Sequence, residues 1–135
     1  PDLPVVLNGG IATLDQAQAN LGALDGIMMG RAAYQEPWQL LGVDSAFYGE
    51  EASYTSSKQA AAAFIPYIER ELAKGARLHS ITRHVLGLFR AVPGARAFRR
   101  HLSVEAVKPG AAAQVLADAL ALVVDKPDDA DHLAA

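Results

Sequence analysis

The sequence contains no cysteine among its 135 residues. This absence excludes disulfides, thiolate metal sites and a cysteine nucleophile within the chain. No apolar run approaches the roughly 20 residues that cross a bilayer, so we expect no membrane segment. The histidines do not have the spacing of metal ligands, and we expect no metal site; they are His79, His84, His101 and His132.

Charged residues are also few, at 20%, whereas hydrophobic residues make up 51% of the chain. This composition is typical of a globular protein with its own core. The charges are unevenly distributed, because residues 66–110 hold nine Lys/Arg and three acids. That block carries +6, which leaves −9 for the rest of a chain whose total is −3. A basic block in an acidic chain indicates an anionic partner, although a solvated basic helical face explains the charge equally well.

The first part of the chain has the pattern of a βαβ unit. Residues 3–7 form a short Val-rich run that predicts a buried strand, and residues 26–29 form a second run. Between them, Thr13 and Gln16 match a capping box that starts a helix. Two strands joined by so short a crossover should be parallel. Parallel strands occur in sheets covered on both faces, and no further strand pattern follows, so we expect this chain to be a piece of a larger protein.

From Ser57 to Val124 the chain has the apolar spacing of helices. It predicts four of them, over residues 58–74, 80–90, 95–107 and 111–124. Pro66 is expected to bend the first helix.

Glycine follows each predicted strand. Asn8, Gly9 and Gly10 stand after the first strand, and Gly30 and Arg31 stand after the second. Glycine lets backbone N–H groups approach a phosphate closely, and a guanidinium suits phosphate oxygens. In barrel enzymes the loops after the last two strands frequently make the phosphate site. The turns are therefore candidates for a phosphate site, and ordinary tight βα turns are the alternative interpretation.

Arginines are concentrated on the predicted helices of the basic block. Arg96, Arg99 and Arg100 are three and four residues apart, so they share one helix face. Arg83 and Arg90, seven apart, are expected to share a face of the preceding helix. Such arrays suit nucleic-acid phosphates and stacking on bases, and a solvated face is the alternative. The opposite face of the third helix is expected to be packed, and it consists of Ala95, Phe98 and Leu102.

Five segments carry a family resemblance in order along the chain. They are residues 8–11 (NGGI), 26–35 (GIMMGRAAYQ), 66–72 (PYIEREL), 81–89 (ITRHVLGLF) and 93–100 (PGARAFRR). Together they resemble the C-terminal part of bacterial tRNA-dihydrouridine synthases, and they match the A subgroup most closely.

The resemblance implies an N-terminal TIM barrel that holds FMN and a C-terminal helical domain that binds tRNA. In that family NADPH reduces the flavin, the flavin delivers hydride to a uridine flipped out of the tRNA D-loop, and a cysteine supplies the proton. By resemblance, Asn8, Gly9 and Gly10 form the first FMN-phosphate turn, and Gly30 and Arg31 form the second.

The resemblance also assigns the arginines. Arg96 and Arg99 match arginines of the helical domain that contact tRNA, and we add Arg100 and Arg83 as candidates on the same surface. No catalytic residue is assigned in this chain, because the family requires a cysteine and the chain has none.

These observations predict an α/β part followed by an all-α helical bundle. Residues 1–49 are expected to be the last two βα units of a TIM barrel, 50–57 a linker, 58–124 a tRNA-binding helical domain and 125–135 a flexible tail. We expect the chain alone to be inactive, and its uncovered strand edges to pair with a second copy unless this part is disordered or repacked. The expected location is the cytoplasm. A stand-alone helical RNA-binding module and a piece of another FMN barrel oxidoreductase remain as alternatives.

Overall fold

The computed structural model describes residues 3–124 of the chain. These residues belong to two compact units, which divide between Ser53 and Tyr54. The expected tail, residues 125–135, lies outside the described residues.

The first unit contains the parallel strand pair that the sequence predicts. Asn8 lies opposite Met28 in the two strands, so their carboxyl ends meet at the same edge. The elements are β1 (Val6–Asn8), α1 (Leu14–Leu21), β2 (Gly26–Met28), α2 (Arg31–Gln35), a 3-10 helix (Pro37–Gly42) and a π-helical turn (Asp44–Tyr48).

The predicted cap starts α1. Thr13 Oγ1 accepts a hydrogen bond from the Gln16 backbone N–H at 3.2 Å, which satisfies one of the free donors of the first turn. The Gln16 side chain turns back and its Oε1 accepts from Ala12 N at 2.9 Å, one residue before the N-cap. The connection between β1 and the helix is therefore held from both sides.

Strand β1 is shorter and more exposed than the sequence predicts. It begins at Val6, and Leu3, Val5 and Val6 are 81%, 53% and 57% exposed. The prediction of a buried strand is wrong here because the sheet has only two strands within residues 3–124, which leaves these side chains without a covering layer. The strand pair is formed and not repacked, and its association with a second copy stays a prediction.

All regular elements of the second unit are helical over its described residues, 54–124. They are α3 (Ser57–Ala63), α4 (Ile65–Ala73), α5 (Leu78–Thr82), α6 (Ala95–Glu105) and α7 (Gln114–Ala121). The single helix predicted over 58–74 is two helices that meet at Phe64. The break lies two residues before Pro66, because proline has no N–H for the carbonyl four residues earlier.

The helix predicted over 80–90 is wrong beyond Thr82. Val85 N bonds to Thr82 O and Leu88 N bonds to Val85 O, so the chain continues as a series of tight turns. We call residues 83–90 the turn segment. Leu86 and Leu88 both pack against the core. Residues two apart face different sides of an α-helix, so core packing of both side chains favours turns over a helix.

The core of the second unit is centred on α6. Phe98 is fully buried and meets Phe89 edge to face, with ring centroids 4.8 Å apart. Leu102 and Ile68 are buried in the same cluster, as is Leu116 of α7. Edge-to-face aromatic pairs contribute about 0.5–1.5 kcal/mol beyond their buried area, so this contact helps to hold the turn segment on the helix.

Gly94, just before α6, lies against the backbone that follows α7. Its φ is +88°, and a Cβ at this position would lie 1.9 Å from the Leu122 carbonyl oxygen. Pro93 O accepts from Val124 N at 3.1 Å, and Val123 O accepts from Lys58 Nζ at 3.0 Å. The close approach of Gly94 to Leu122 therefore requires glycine, and the two hydrogen bonds hold the backbone beside it.

None of the helices in residues 3–124 combines the length and the apolar character that crossing a membrane requires.

Gly94→Ala is expected to lower the free energy of unfolding by about 2–4 kcal/mol, because it adds a backbone clash to the cost of a left-handed alanine. Gly75→Ala is the matched control, since Gly75 also has a positive φ, +94°, but nothing lies within 4 Å of its Cβ position. The control should cost about 1–2 kcal/mol. Urea unfolding followed by circular dichroism measures both, and equal losses would contradict the steric argument.

Candidate phosphate-binding cleft and arginine surface

The two glycine-bearing turns lie side by side in the first unit. Because β1 and β2 are parallel and in register, the residues that follow them emerge at one edge of the sheet. There they line a cleft of about 540 Å³. All of the residues proposed for phosphate binding line it, namely Asn8, Gly9, Gly10, Gly30 and Arg31.

The first turn has a backbone that glycine makes accessible. Gly9 and Gly10 have φ angles of +119° and +72°, which side chains other than glycine rarely adopt. Nothing lies within 4 Å of the Cβ position of either residue. Both glycines are exposed and line the cleft, so no side chain of their own blocks a phosphate from their backbone.

Arg31 supplies the cation of the cleft. It is the first residue of α2, and its exposed side chain makes no hydrogen bond or ion pair with any residue that the structure describes. A free guanidinium beside an open glycine turn is suited to phosphate oxygens, which it can bind with two parallel N–H donors.

Glu36 also lines the cleft, and the sequence interpretation missed it. It lies just beyond α2, where Gln39 Nε2 donates to Glu36 Oε2 at 3.3 Å. A carboxylate at this place opposes an anion. The sequence did not indicate Glu36, because only the turn at the end of α2 brings it to the cleft.

The two faces of α6 in the second unit are confirmed. Its apolar residues are at most 3% exposed, and they are Ala95, Phe98 and Leu102. Arg96, Arg99 and Arg100 are all exposed. We call these three residues the α6 arginine surface.

Arg99 is held in place by the turn segment. Its Nη1 donates to the Phe89 carbonyl oxygen at 3.0 Å, and the Phe89 ring packs on Phe98 of the same helix. A guanidinium has five N–H donors, so one bond orients the side chain and leaves the others for a ligand. The sequence gave no sign of this bond, since it depends on the turns that replace the predicted helix.

The pairing of Arg83 with Arg90 on one helix face is wrong. Arg83 is the C-cap of α5, and Arg90 lies in the turn segment outside any helix. Both side chains are exposed. The reason is the early end of α5, which places the two residues in separate local structures.

No group of three or more His, Cys, Asp or Glu residues within 3–124 is placed to hold a metal ion. Nε2 of His101 on α6 is buried without a hydrogen-bond partner. It lies on the edge of the packed face, and we assign it no site.

A parallel strand pair joined through a helix, with a glycine turn after each strand, makes the first unit an α/β unit. A family model described as dihydrouridine synthase matches residues 1–123. The chain belongs to the dihydrouridine synthase family.

Curated relatives are similar over nearly the whole chain. A tRNA-dihydrouridine(20/20a) synthase of Yersinia pestis is 51% identical over 123 residues, which are 91% of this chain and 36% of that protein. The synthases of the same name from Salmonella typhi and Escherichia coli (strain K12) are 49% and 48% identical over 126 residues, or 93% of this chain. The chain spans 38% and 36% of those two proteins, so it covers little more than a third of its relatives.

Replacing Arg31 is expected to weaken phosphate binding at the cleft. Arg31→Gln removes the charge while keeping a polar side chain, and Gln35→Ala is the control because Gln35 lines the same cleft without a charge. Titration with inorganic phosphate, followed by amide NMR shifts of Gly9 and Gly10, should show a dissociation constant raised about threefold or more by Arg31→Gln alone. Equal dissociation constants in the two variants would show that Arg31 does not bind the phosphate.

Proposed function

We propose that this chain corresponds to the C-terminal part of a flavin-dependent tRNA-dihydrouridine synthase. The complete enzyme reduces a D-loop uridine of tRNA to 5,6-dihydrouridine, with FMN as cofactor and NADPH as reductant. The observation that carries the proposal is the meeting of two glycine turns and Arg31 in one cleft, in a chain of the dihydrouridine synthase family. Residues 1–49 then correspond to the end of a TIM barrel.

The cleft has the chemistry of a phosphate end for FMN. The open peptides of Gly9 and Gly10 and the guanidinium of Arg31 would hold the phosphate, with Asn8 and Gly30 beside them. Flavin, when bound, supplies the hydride. This chain's residues contribute binding and orientation of one end of the cofactor, and Glu36 limits how much negative charge the cleft tolerates.

No group in this chain is proposed to donate the proton. The family uses a cysteine, and the sequence has none. The residues that face the flavin ring and the proton donor are therefore proposed to lie outside these 135 residues. We propose a cytoplasmic location, because the proposed tRNA substrate is found there.

The α6 arginine surface is proposed to bind tRNA, together with Arg83. Its three side chains point away from a packed face, so binding RNA does not disturb the core. Arg99 is oriented in advance by the Phe89 carbonyl, which reduces the entropy that a flexible arginine loses on binding a phosphate.

The proposed activity predicts a clear difference between two proteins. The complete source protein, which includes any sequence upstream of Pro1, should form dihydrouridine in an unmodified tRNA transcript when FMN and NADPH are supplied. The 135-residue chain should form none and should bind FMN weakly. Mass spectrometry of digested tRNA measures the product, and turnover by the 135-residue chain would falsify the assignment of the catalytic groups to other residues.

A stand-alone helical RNA-binding module is the second candidate. It is favoured by the basic block of +6, which lies within the second unit. That unit also has a hydrophobic core of its own. Sequencing the coding region upstream of Pro1 separates the two proposals. A reading frame that continues into a cysteine-bearing barrel supports the synthase, and a start codon at this place supports the module.

Arg99→Ala is expected to weaken tRNA binding and flatten its salt dependence. Each lost phosphate contact lowers the slope of log K against log salt concentration by about 0.7–0.9, because fewer counterions are released. Arg100→Ala tests the same surface without loss of the Phe89 bond. Filter binding at several salt concentrations measures the affinity and the slope. Unchanged slopes in the two variants would show that this surface does not bind RNA.

A further inference from the structure

A second basic cleft lies at the other end of α6, away from Arg96. It has a volume of about 660 Å³ and is formed by the loop between α4 and α5 and the turn between α6 and α7. We call it the distal cleft. The residues that matter for its chemistry are Leu72, Arg77, Leu78, His79, Ala106 and Lys108.

The lining of the distal cleft combines an apolar floor with a cationic rim. Leu78 and Ala106 are 2% and 3% exposed and form the floor, beside the partly buried Leu72. Arg77 and Lys108 are exposed at the rim. A cleft for an inorganic anion needs no apolar floor, whereas a nucleotide offers a phosphate to the rim and a ribose or base to the floor.

The cations of the rim are available to a ligand. The side chain of Arg77 makes no hydrogen bond or ion pair with any residue in 3–124. Lys108 pairs with Glu105, but their side chains are 57% and 33% exposed, and such surface pairs contribute only about 0–1 kcal/mol. A phosphate can therefore compete for Lys108 at little cost.

The position of the cleft relates it to the α6 arginine surface. Arg96 and Glu105 are nine residues apart on α6, which is roughly 13 Å along the helix axis. Lys108 follows shortly after the helix, in the turn that lines the cleft. One nucleic acid lying along α6 can therefore reach cations at both ends.

We propose that the distal cleft binds one backbone nucleotide of the RNA, with its phosphate between Arg77 and Lys108 and its ribose or base against Leu78. The proposal rests on the proposed function, because the RNA is the ligand of the α6 arginine surface. It adds a second contact point, which fixes the direction of the RNA along the helix.

Replacing Arg77 and Lys108 by alanine, one at a time, tests this contact. Each variant of the full chain should bind unmodified tRNA transcript about two- to fivefold more weakly. Each should also lower the salt slope by about 0.7–0.9, the value of one phosphate contact. Arg77→Lys should restore the slope, because it restores the charge. Both side chains are exposed, so the variants should keep the circular dichroism spectrum of the original chain.

Arg70→Ala is the matched control, since Arg70 is an exposed cation of the same unit that does not line the cleft. If Arg70→Ala lowers affinity and slope as much as Arg77→Ala, the effect is general charge and the proposal is overturned. If Arg96→Ala weakens binding and Arg77→Ala does not, the distal cleft is excluded while the RNA role of α6 stands. If neither weakens binding, the proposed function fails along with the cleft.

Discussion

Burial of the apolar face of α6 is the contact on which the second unit depends. Phe98 and Leu102 are almost completely inaccessible, and the helices on either side of α6 along the chain pack into the same cluster. This burial fixes the rotation of the helix, and the rotation decides that the α6 arginine surface faces outward. Burial of large apolar side chains contributes about 1.5–3 kcal/mol each, whereas exposed arginines contribute little to folding. The arginines of this face can therefore be replaced without disturbing the packed core.

The turn segment after α5 shows that packing against the same core overrides the helix that its sequence pattern predicts. Its apolar residues are not spaced for one helix face, and they reach the core because the chain turns instead of coiling. The turns also set the position of the Phe89 carbonyl, which accepts a hydrogen bond from the Arg99 guanidinium. The orientation of Arg99, a candidate RNA-binding residue, therefore depends on where these turns place Phe89.

In the first unit the equivalent constraint is parallel pairing. It brings the two glycine turns to one sheet edge, and it leaves apolar side chains of β1 on the surface because the described sheet has two strands. Parallel sheets are stable when both faces are covered. The same pairing brings the candidate phosphate-binding residues into one cleft and leaves the faces of the described sheet uncovered, in a chain that spans little more than a third of the length of the relatives compared.

The sequence by itself determined the features that are local. Thr13 as a helix cap, the parallel βαβ order and the two faces of α6 depend on spacing within about ten residues or on short connections. The family resemblance was visible for the same reason, because its segments are short and ordered. Tertiary structure alone decided the end of α5, the Arg99 bond and the distal cleft, and it placed Glu36 in the phosphate cleft. Each of these joins residues through packing or through a turn whose direction the core sets, and no periodicity along the chain encodes that direction.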